Sequence, residues 1–537
     1  MSTSLVGVTG GEVVVAALAA HGVDLVLGIP GTHNLTVFDA LRRYGVRVVA
    51  TTHEQGCGYA ADSYARTSGR PGVAVVTSGP AVFNAATAVA QAYSDSSPFL
   101  LVSPGMPRSF VVGGPGTGYL HEARDQQGVM DLVAAASLRP TTHQGIADAV
   151  AEAWTLMTHG RPRPVHLEVP LDLLEELGDA DIAEPAPAPA AAIDAAVVVA
   201  AADALAGARS VVVVAGGGAT GAAAAVREVA ELLGAPVVTS INGTGVVPAD
   251  HPLGVGSRLG TRAVKDAIGT ADAVLLVGCE LAQSDLFVGP VEPRGTVVRL
   301  DIDPRMRDVN VVSDVLVVGP AEATVPLLRD ELRARGAVPA DPAGATALRE
   351  AAAAETAASG ERWLPWVAAL QASLDDDAVL ATDNAMCVYY GAIPNLVVRR
   401  PASLHFPTGF GTLGFTVPVA IGAALAAPDR QVVGISGDGG LLFTATELAT
   451  AAAERLPVAI VVFDNSGYGE IRNEMVDRGE EPVAVAAPPR DLVLLAQSLG
   501  AHGVRVQTPD QLAAELAAAR TRTGPTVVVV PESPREG

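Results

Sequence analysis

In the stretch VVGISGDGGLL (432–442) an aspartate, Asp438, sits between glycines at the end of a short apolar run. Val432 to Ile435 has the length and β-branched content of a buried strand, and a helix-like pattern follows Gly440. Asp438 therefore falls in a strand-to-helix turn, where free backbone N–H groups and the helix dipole favour an anion. Two roles are open to a carboxylate there. Asp is a common N-cap and Gly-Asp-Gly a turn former; alternatively the carboxylate holds a cation that an anionic ligand requires. Asn465 follows 27 residues later, in VVFDNSGYGE (461–470), just past the next expected strand. Taken singly it reads as a turn residue. Neighbouring parallel strands bring their C-terminal ends together, so a carboxylate, an amide oxygen and a loop carbonyl would converge. That is a hard oxygen set suited to Mg²⁺, which completes its sphere with phosphate and water.

Elements of a particular kind must position these groups. Short Val-rich runs such as VAVVT, FLLVS, SVVVVA, APVVTS, AVLLVG, TVVRLDID, QVVGIS, VAIVVF and TVVVVP alternate with helix-length Ala/Leu segments. This is the pattern of parallel sheets covered on both faces, an α/β class. Two Pro- or Ala-rich stretches, 181–194 and 335–360, read as linkers and divide the chain into 1–180, 190–335 and 360–537. Residues 72–104 can be laid on 431–464: both run strand, Ser-Gly turn, aromatic residue, Ala/Thr helix, proline, strand. The first and third blocks therefore read as two copies of one domain.

The bulk numbers exclude several classes. The chain has 537 residues, enough for about three domains, with 49% hydrophobic and only 4% aromatic residues. A formal charge of −23 argues against nucleic acid or an anionic membrane surface as partner. Cys57, Cys279 and Cys387 lack metal-site spacing and fit a reduced cytoplasm. The first residues lack a basic start and place Glu12 inside their apolar segment, unlike a signal peptide. No uncharged apolar stretch reaches membrane-spanning length.

GDG followed 27 residues later by N-S-G resembles the cofactor motif of thiamine-diphosphate enzymes. The family's Asn-Asn pair is here Asp464-Asn465, with the metal-binding second member retained. The resemblance assigns Mg²⁺ to Asp438, Asn465 and the Gly467 carbonyl, and cofactor contacts to Gly437, Gly439, Gly440 and Tyr468. It also implies a catalytic glutamate in the first block, and TTHEQGCGYAADSYARTSG (51–69) supplies Glu54 before a Gly/Ala-rich helix. There a carboxyl exchanges a proton with the aminopyrimidine ring, and burial is expected to raise its pKa towards the useful range. GFGTLGFTVPVAIGAAL (409–425) resembles the segment whose backbone carbonyl and aliphatic side chain hold the cofactor's two rings in a V; the matching residues are Gly411 and Leu413. Nearly the whole chain resembles the acetolactate synthase and pyruvate decarboxylase superfamily, including GIPGTHNLTVFDAL (28–41), RPVHLEVPLDLL (163–174) and VVRLDIDP (297–304). The implied architecture is a pyrimidine-binding, a central and a diphosphate-binding domain. The cofactor would lie between the first of one subunit and the third of another, in a homodimer or homotetramer.

The fate of the decarboxylated 2-oxo acid separates the candidate reactions. GTGYLHEARDQQGVM (116–130) and SGYGEIRNEMVDRGEEP (466–482) look most like 5-guanidino-2-oxopentanoate decarboxylases. That resemblance implies non-oxidative release of an aldehyde and CO₂, with a carboligase and a catalytically silent cofactor-binding subunit as alternatives. His121 is the candidate for proton delivery; His33 and Thr32 occupy the place where pyruvate decarboxylases carry an acid. Glu470 is the candidate partner of a cationic substrate tail, though it would equally suit the first turn of a helix. VAGGGATGA (214–222) lacks a full dinucleotide fingerprint, and flavin is not expected.

Overall fold

The computed structural model describes residues 3–187, 189–287, 289–337 and 342–532. Its frame is three six-stranded sheets, every strand pairing within them parallel. In chain order the first sheet contains Leu25–Gly28, Arg47–Ala50, Gly72–Val75, Phe99–Gly105, Ser137–Leu138 and Val165–Pro170. The third contains Val379–Thr382, Leu404–His405, Val432–Gly437, Ala459–Asp464, His502–Arg505 and Thr526–Pro531. Both place their strands in the spatial order second, first, third, fourth, sixth, fifth. The repeat read from 72–104 and 431–464 is thus a repeat of topology. The central sheet, from Val211–Ala215 to Val315–Val318, has the different order third, second, first, fourth, fifth, sixth. An antiparallel pair, Thr3–Thr9 with Leu177–Ile182, ties the chain start to the end of the first block.

Each expected strand run contains an observed strand. Their central residues are almost wholly buried, as sheets covered on both faces require. The expected linker 181–194 has no helix or strand among its described residues beyond Ile182. The other linker requires correction. From Ala343 to Gly360 the chain is a helix, packed on the central sheet's flank and on the third block; residues 338–341 lie outside the described residues. Its small residues bury only Ala345, Ala352, Thr356 and Gly360. So narrow an apolar stripe is hard to distinguish from a polar linker by composition.

The helices Glu54–Ser68 and Thr416–Ala426 clamp the first block to the third. The first begins with His53 accepting from the Gln55 N–H and ends at Gly69, whose φ of 72° suits glycine. The two backbones touch: a Cβ on Gly422 would collide with the Ala60 carbonyl oxygen. Gly422→Ala should therefore destabilise the protein, because the clash with fixed backbone, about 1–3 kcal/mol, exceeds the gain of about 1 kcal/mol in helix propensity. A urea midpoint below that of the wild type is expected; an unchanged or higher one would contradict this packing.

Candidate functional site

The expected site residues gather at the C-terminal ends of equivalent strands in the two repeats. In the first block Thr32 and His33 follow Leu25–Gly28, Glu54 follows Arg47–Ala50, Ser78 follows Gly72–Val75, and His121 lies in the long segment after Phe99–Gly105. These are four adjacent strands. In the third block the matching four strands are followed by Asp383, by Gly411 and Leu413, by Asp438, and by Asn465.

Asp438 is the first residue of the Asp438–Thr444 helix and is fully buried. One oxygen accepts the Asn465 N–H at 3.3 Å; the other is ion-paired to Arg490, whose guanidinium also lies 3.5 Å from Asp464. Burial raises the Asp438 pKa, against the pull of Arg490. The Asn465 Oδ1 is buried without a hydrogen bond. Gly467, at φ 151°, is held by an isolated bridge to Ala486, and its carbonyl lies 3.6 Å from the place of a Cβ on Gly439. That same Cβ would stand 3.0 Å from the Tyr468 ring, so glycine at 439 keeps the loop's approach open. An under-neutralised carboxylate, an orphaned amide oxygen and a loop carbonyl fit a magnesium ion, with Arg490 supplying positive charge to the same carboxylate. Among the described residues no group of three or more His, Cys, Asp or Glu is arranged for a metal; this oxygen set instead draws on an amide and the backbone.

Sequence reasoning missed the residues that shape the neighbouring loop. Asp383 is fully buried, its pKa pushed up to about 6 by burial, and accepts the N–H groups of Asn384, Gly414 and Phe415 at 2.9–3.1 Å. It thereby fixes the turn bearing Gly411, exposed at φ 73°, and half-buried Leu413. Glu470 lies in the first turn of the Gly469–Asp477 helix, as the plain reading of that residue required. Its carboxylate also accepts the Tyr390 hydroxyl at 2.7 Å. Tyr390 is carried by a single stretch of π-helix, Cys387–Ala392, the kind of local insertion that re-aims side chains at functional sites.

In the first block Glu54 departs from expectation. It is half-buried rather than enclosed, and its carboxylate accepts the Asn84 amide at 2.9 Å. Of the small residues of its helix, Gly56 and Ala60 face Glu447 and Gly422 of the third block, and Gly58 packs on Ala88 within the first. What fixes Glu54 is the buried Glu447, which accepts the Thr52 N–H at 3.1 Å, the His53 N–H at 3.0 Å, and the hydroxyls of Thr52 and Thr450 at 2.8 Å. A Cβ on Gly56 would strike this carboxylate. Thr32 is exposed, whereas His33 and His121 come together, their rings 5.1 Å apart. Glu122 folds back on the Thr117 hydroxyl and on the N–H groups of Thr117 and Tyr119, and these bonds, the hydroxyl's first, hold its pKa below the usual value.

The central block's Gly217–Ala222 turn borders a cavity of about 520 Å³ shared with the other two blocks. Glu280, Asp285, Asp301 and Glu322 line it. Asp285, its pKa raised to about 6 by burial, accepts the Ile241 N–H at 2.8 Å.

Glu447→Gln should loosen the Glu54 loop, since bonds to a charged acceptor contribute about 1.5–3 kcal/mol each and an amide cannot accept at both positions. Faster hydrogen exchange at Thr52 and His53, with sheet strands still protected, is expected; unchanged protection would show that Glu447 does not hold this loop.

The three blocks match known protein domains. Residues 8–129 match the N-terminal TPP binding domain of thiamine pyrophosphate enzymes, 198–328 their central domain and 387–530 their C-terminal TPP binding domain. A probable 2-ketoarginine decarboxylase, AruI, of Pseudomonas aeruginosa is 38% identical over 97% of this chain and 93% of its own length. A probable acetolactate synthase large subunit of Methanocaldococcus jannaschii is 30% identical over 98% and 92%. The acetolactate synthase isozyme 2 large subunit of Escherichia coli is 30% identical over 97% and 95%. Similar to these proteins over almost its full length, and built on the same three domains in the same order, the chain belongs to the thiamine pyrophosphate enzyme family.

Proposed function

We propose that this protein is a Mg²⁺-dependent 2-oxo acid decarboxylase that releases an aldehyde and CO₂, with 5-guanidino-2-oxopentanoate or a similar long cationic 2-oxo acid as substrate. The observation that carries the reading is the pairing of two strand-end sites. One is the oxygen set around Asp438 in the third block; the other is Glu54 with two histidines at the equivalent end of the first. Thiamine diphosphate, when bound, supplies the electron sink that loss of CO₂ from a 2-oxo acid requires. Asp438, Asn465 and the Gly467 carbonyl hold the magnesium ion, and Gly437, Gly439 and Gly440 leave backbone room for the diphosphate. The Gly411 carbonyl and the Leu413 side chain position the two rings, a contribution of orientation rather than of chemistry. Glu54 is the carboxyl that would exchange a proton with the aminopyrimidine ring when the cofactor is bound. His121 carries the proton that ends the reaction as an aldehyde.

Glu54 is half-exposed and Phe83, beside its Asn84 partner, is 39% exposed; Phe443, on the Asp438 helix, is 54% exposed. Apolar groups left uncovered beside both half-sites support a homodimer or homotetramer in which each half-site of one subunit faces the other half of a second. The acidic lining of the central cavity disfavours a diphosphate, so we place no flavin there and expect a colourless protein. No helix among the described residues is long and apolar enough to cross a membrane; with three buried free cysteines and a reduced cytoplasm as the setting, the assembly acts on small molecules rather than nucleic acid. The intact Glu54 speaks against a catalytically silent subunit. The acetolactate synthases among the relatives keep a carboligase as the second reading.

Glu470 sets the substrate. Its carboxylate, oriented by Tyr390, would pair with a guanidinium, a charged bond of about 1.5–3 kcal/mol. Glu470→Gln should lower kcat/KM for 5-guanidino-2-oxopentanoate about ten- to a hundredfold, at 1.4 kcal/mol per decade, and leave uncharged 2-oxo acids little changed. Assays of aldehyde, CO₂ and acyloin on basic, aromatic and short aliphatic 2-oxo acids test this. Equal losses on charged and neutral substrates would refute the pairing, and a wild-type enzyme that condenses pyruvate and ignores the guanidino acid would refute the decarboxylase.

A further inference from the structure

His33 and His121 meet edge to face, their ring centroids 5.1 Å apart, and Ser78 joins them through hydrogen bonds. Its hydroxyl oxygen lies 2.7 Å from His33 Nδ1 and 3.2 Å from His121 Nδ1, and the residue is fully buried. The surrounding backbone is built to bring this about. Gly79, at φ 64°, has no room for a Cβ, which would stand 2.7 Å from the Cβ and the carbonyl oxygen of His121. His121 itself is held at φ 63°, a left-handed conformation that a non-glycine residue disfavours. The segment is pinned on its other side: Gln126 accepts the Gly79 N–H at 2.7 Å and donates to Glu168 at 2.8 Å, which in turn pairs with Arg139. Such a clamp keeps His121 beside Ser78 against its own backbone preference.

We propose that Ser78 is a proton-conducting bridge that makes His33 and His121 one relay between solvent and the reacting carbon. The proposal deepens the decarboxylase reading and rests on it for the identity of the final acceptor. A serine has one O–H, so between two Nδ1 atoms it donates to one imidazole and accepts from the other. The two neutral rings are therefore opposite tautomers, Nδ1–H on one and Nε2–H on the other. Water gives a proton to His33 Nε2, its hydroxide being taken up as bicarbonate by the CO₂ released, and the His33 Nδ1–H bond breaks as that proton passes to Ser78 Oγ. The Ser78 proton passes to His121 Nδ1, and the His121 Nε2 proton goes to the substrate carbon. One proton crosses the chain, both rings and the hydroxyl end neutral, and exchange at the outer nitrogens restores the first tautomers. The titratable groups facing His33 are His121 and, more weakly, Glu175; burial above all lowers the His33 pKa, which favours the neutral ring that the relay needs.

Ser78→Ala and Ser78→Thr test the bridge, the second keeping the hydroxyl. Imidazole ¹⁵N NMR of the cofactor-free protein should show complementary tautomers in the wild type and in Ser78→Thr, and loss of that pattern in Ser78→Ala. With cofactor and the guanidino acid, Ser78→Ala should release aldehyde about a hundredfold more slowly, the scale of a positioned proton transfer. Its thiamine diphosphate affinity should stay unchanged by calorimetry, and Ser78→Thr should recover most of the rate. Wild-type tautomers in Ser78→Ala would overturn the proposal, as would aldehyde release within about twofold of wild type. A wild-type enzyme that forms acyloin in place of aldehyde would instead overturn the decarboxylase reading; the tautomer pattern, which needs no substrate, separates the two failures.

Discussion

A carboxylate buried at a strand end must be neutralised, and the third block is organised around that requirement at Asp438. The side chain is out of water entirely, where an unpaired charge is prohibitively expensive. Arg490 neutralises it within the chain, yet burial still holds the pKa above that of a free carboxyl. Arg490 donates to Asp438 and to the Pro488 carbonyl, not to the Asn465 Oδ1 or the Gly467 carbonyl, and that Oδ1 is left buried without a hydrogen bond. A magnesium ion can satisfy all three oxygens at once. The glycines at 437, 439 and 440 and the loop at 466–468 then follow as ways of bringing backbone close to the same point.

The first block answers with the same topology and different chemistry. Its equivalent strand ends carry Glu54 and the His33–Ser78–His121 group instead of the oxygen set around Asp438. Glu447 joins the two blocks: it sits just beyond the helix that Asp438 begins, and its carboxylate holds the backbone that precedes Glu54. The packing of Gly422 against Ala60 fixes the blocks' separation on the scale of a single methyl group. The position of Glu54 is thereby set by the domain that carries Asp438.

Much of this is legible in the sequence because its signals are local. Val-rich runs spaced by helix-length segments give away the parallel sheets, and the Ser-Gly turn shared by 72–104 and 431–464 reveals the repeat. Asp438, Asn465 and Glu54 stand next to strand ends, so locating the strands places them. Glu447, Asp383, Arg490 and Ser78 are invisible for the opposite reason: each acts on a partner remote in sequence, in a loop or across a domain contact. The π-helical turn that aims Tyr390 at Glu470 breaks helical periodicity locally and leaves no compositional mark. The Ala343–Gly360 helix escapes notice because alanine builds a helix without announcing which face is buried.

The neutralisation of Asp438 is open to a direct measurement: calorimetric titration of thiamine diphosphate, with and without Mg²⁺, into the wild type and into Asp438→Asn, which preserves shape and removes the charge. Binding by the wild type should require Mg²⁺, and the variant should bind more weakly by at least about tenfold, the loss of a single charged contact at 1.4 kcal/mol per decade. Equal affinity in the two proteins, or wild-type binding indifferent to Mg²⁺, would contradict the role of the buried carboxylate as the metal's anchor.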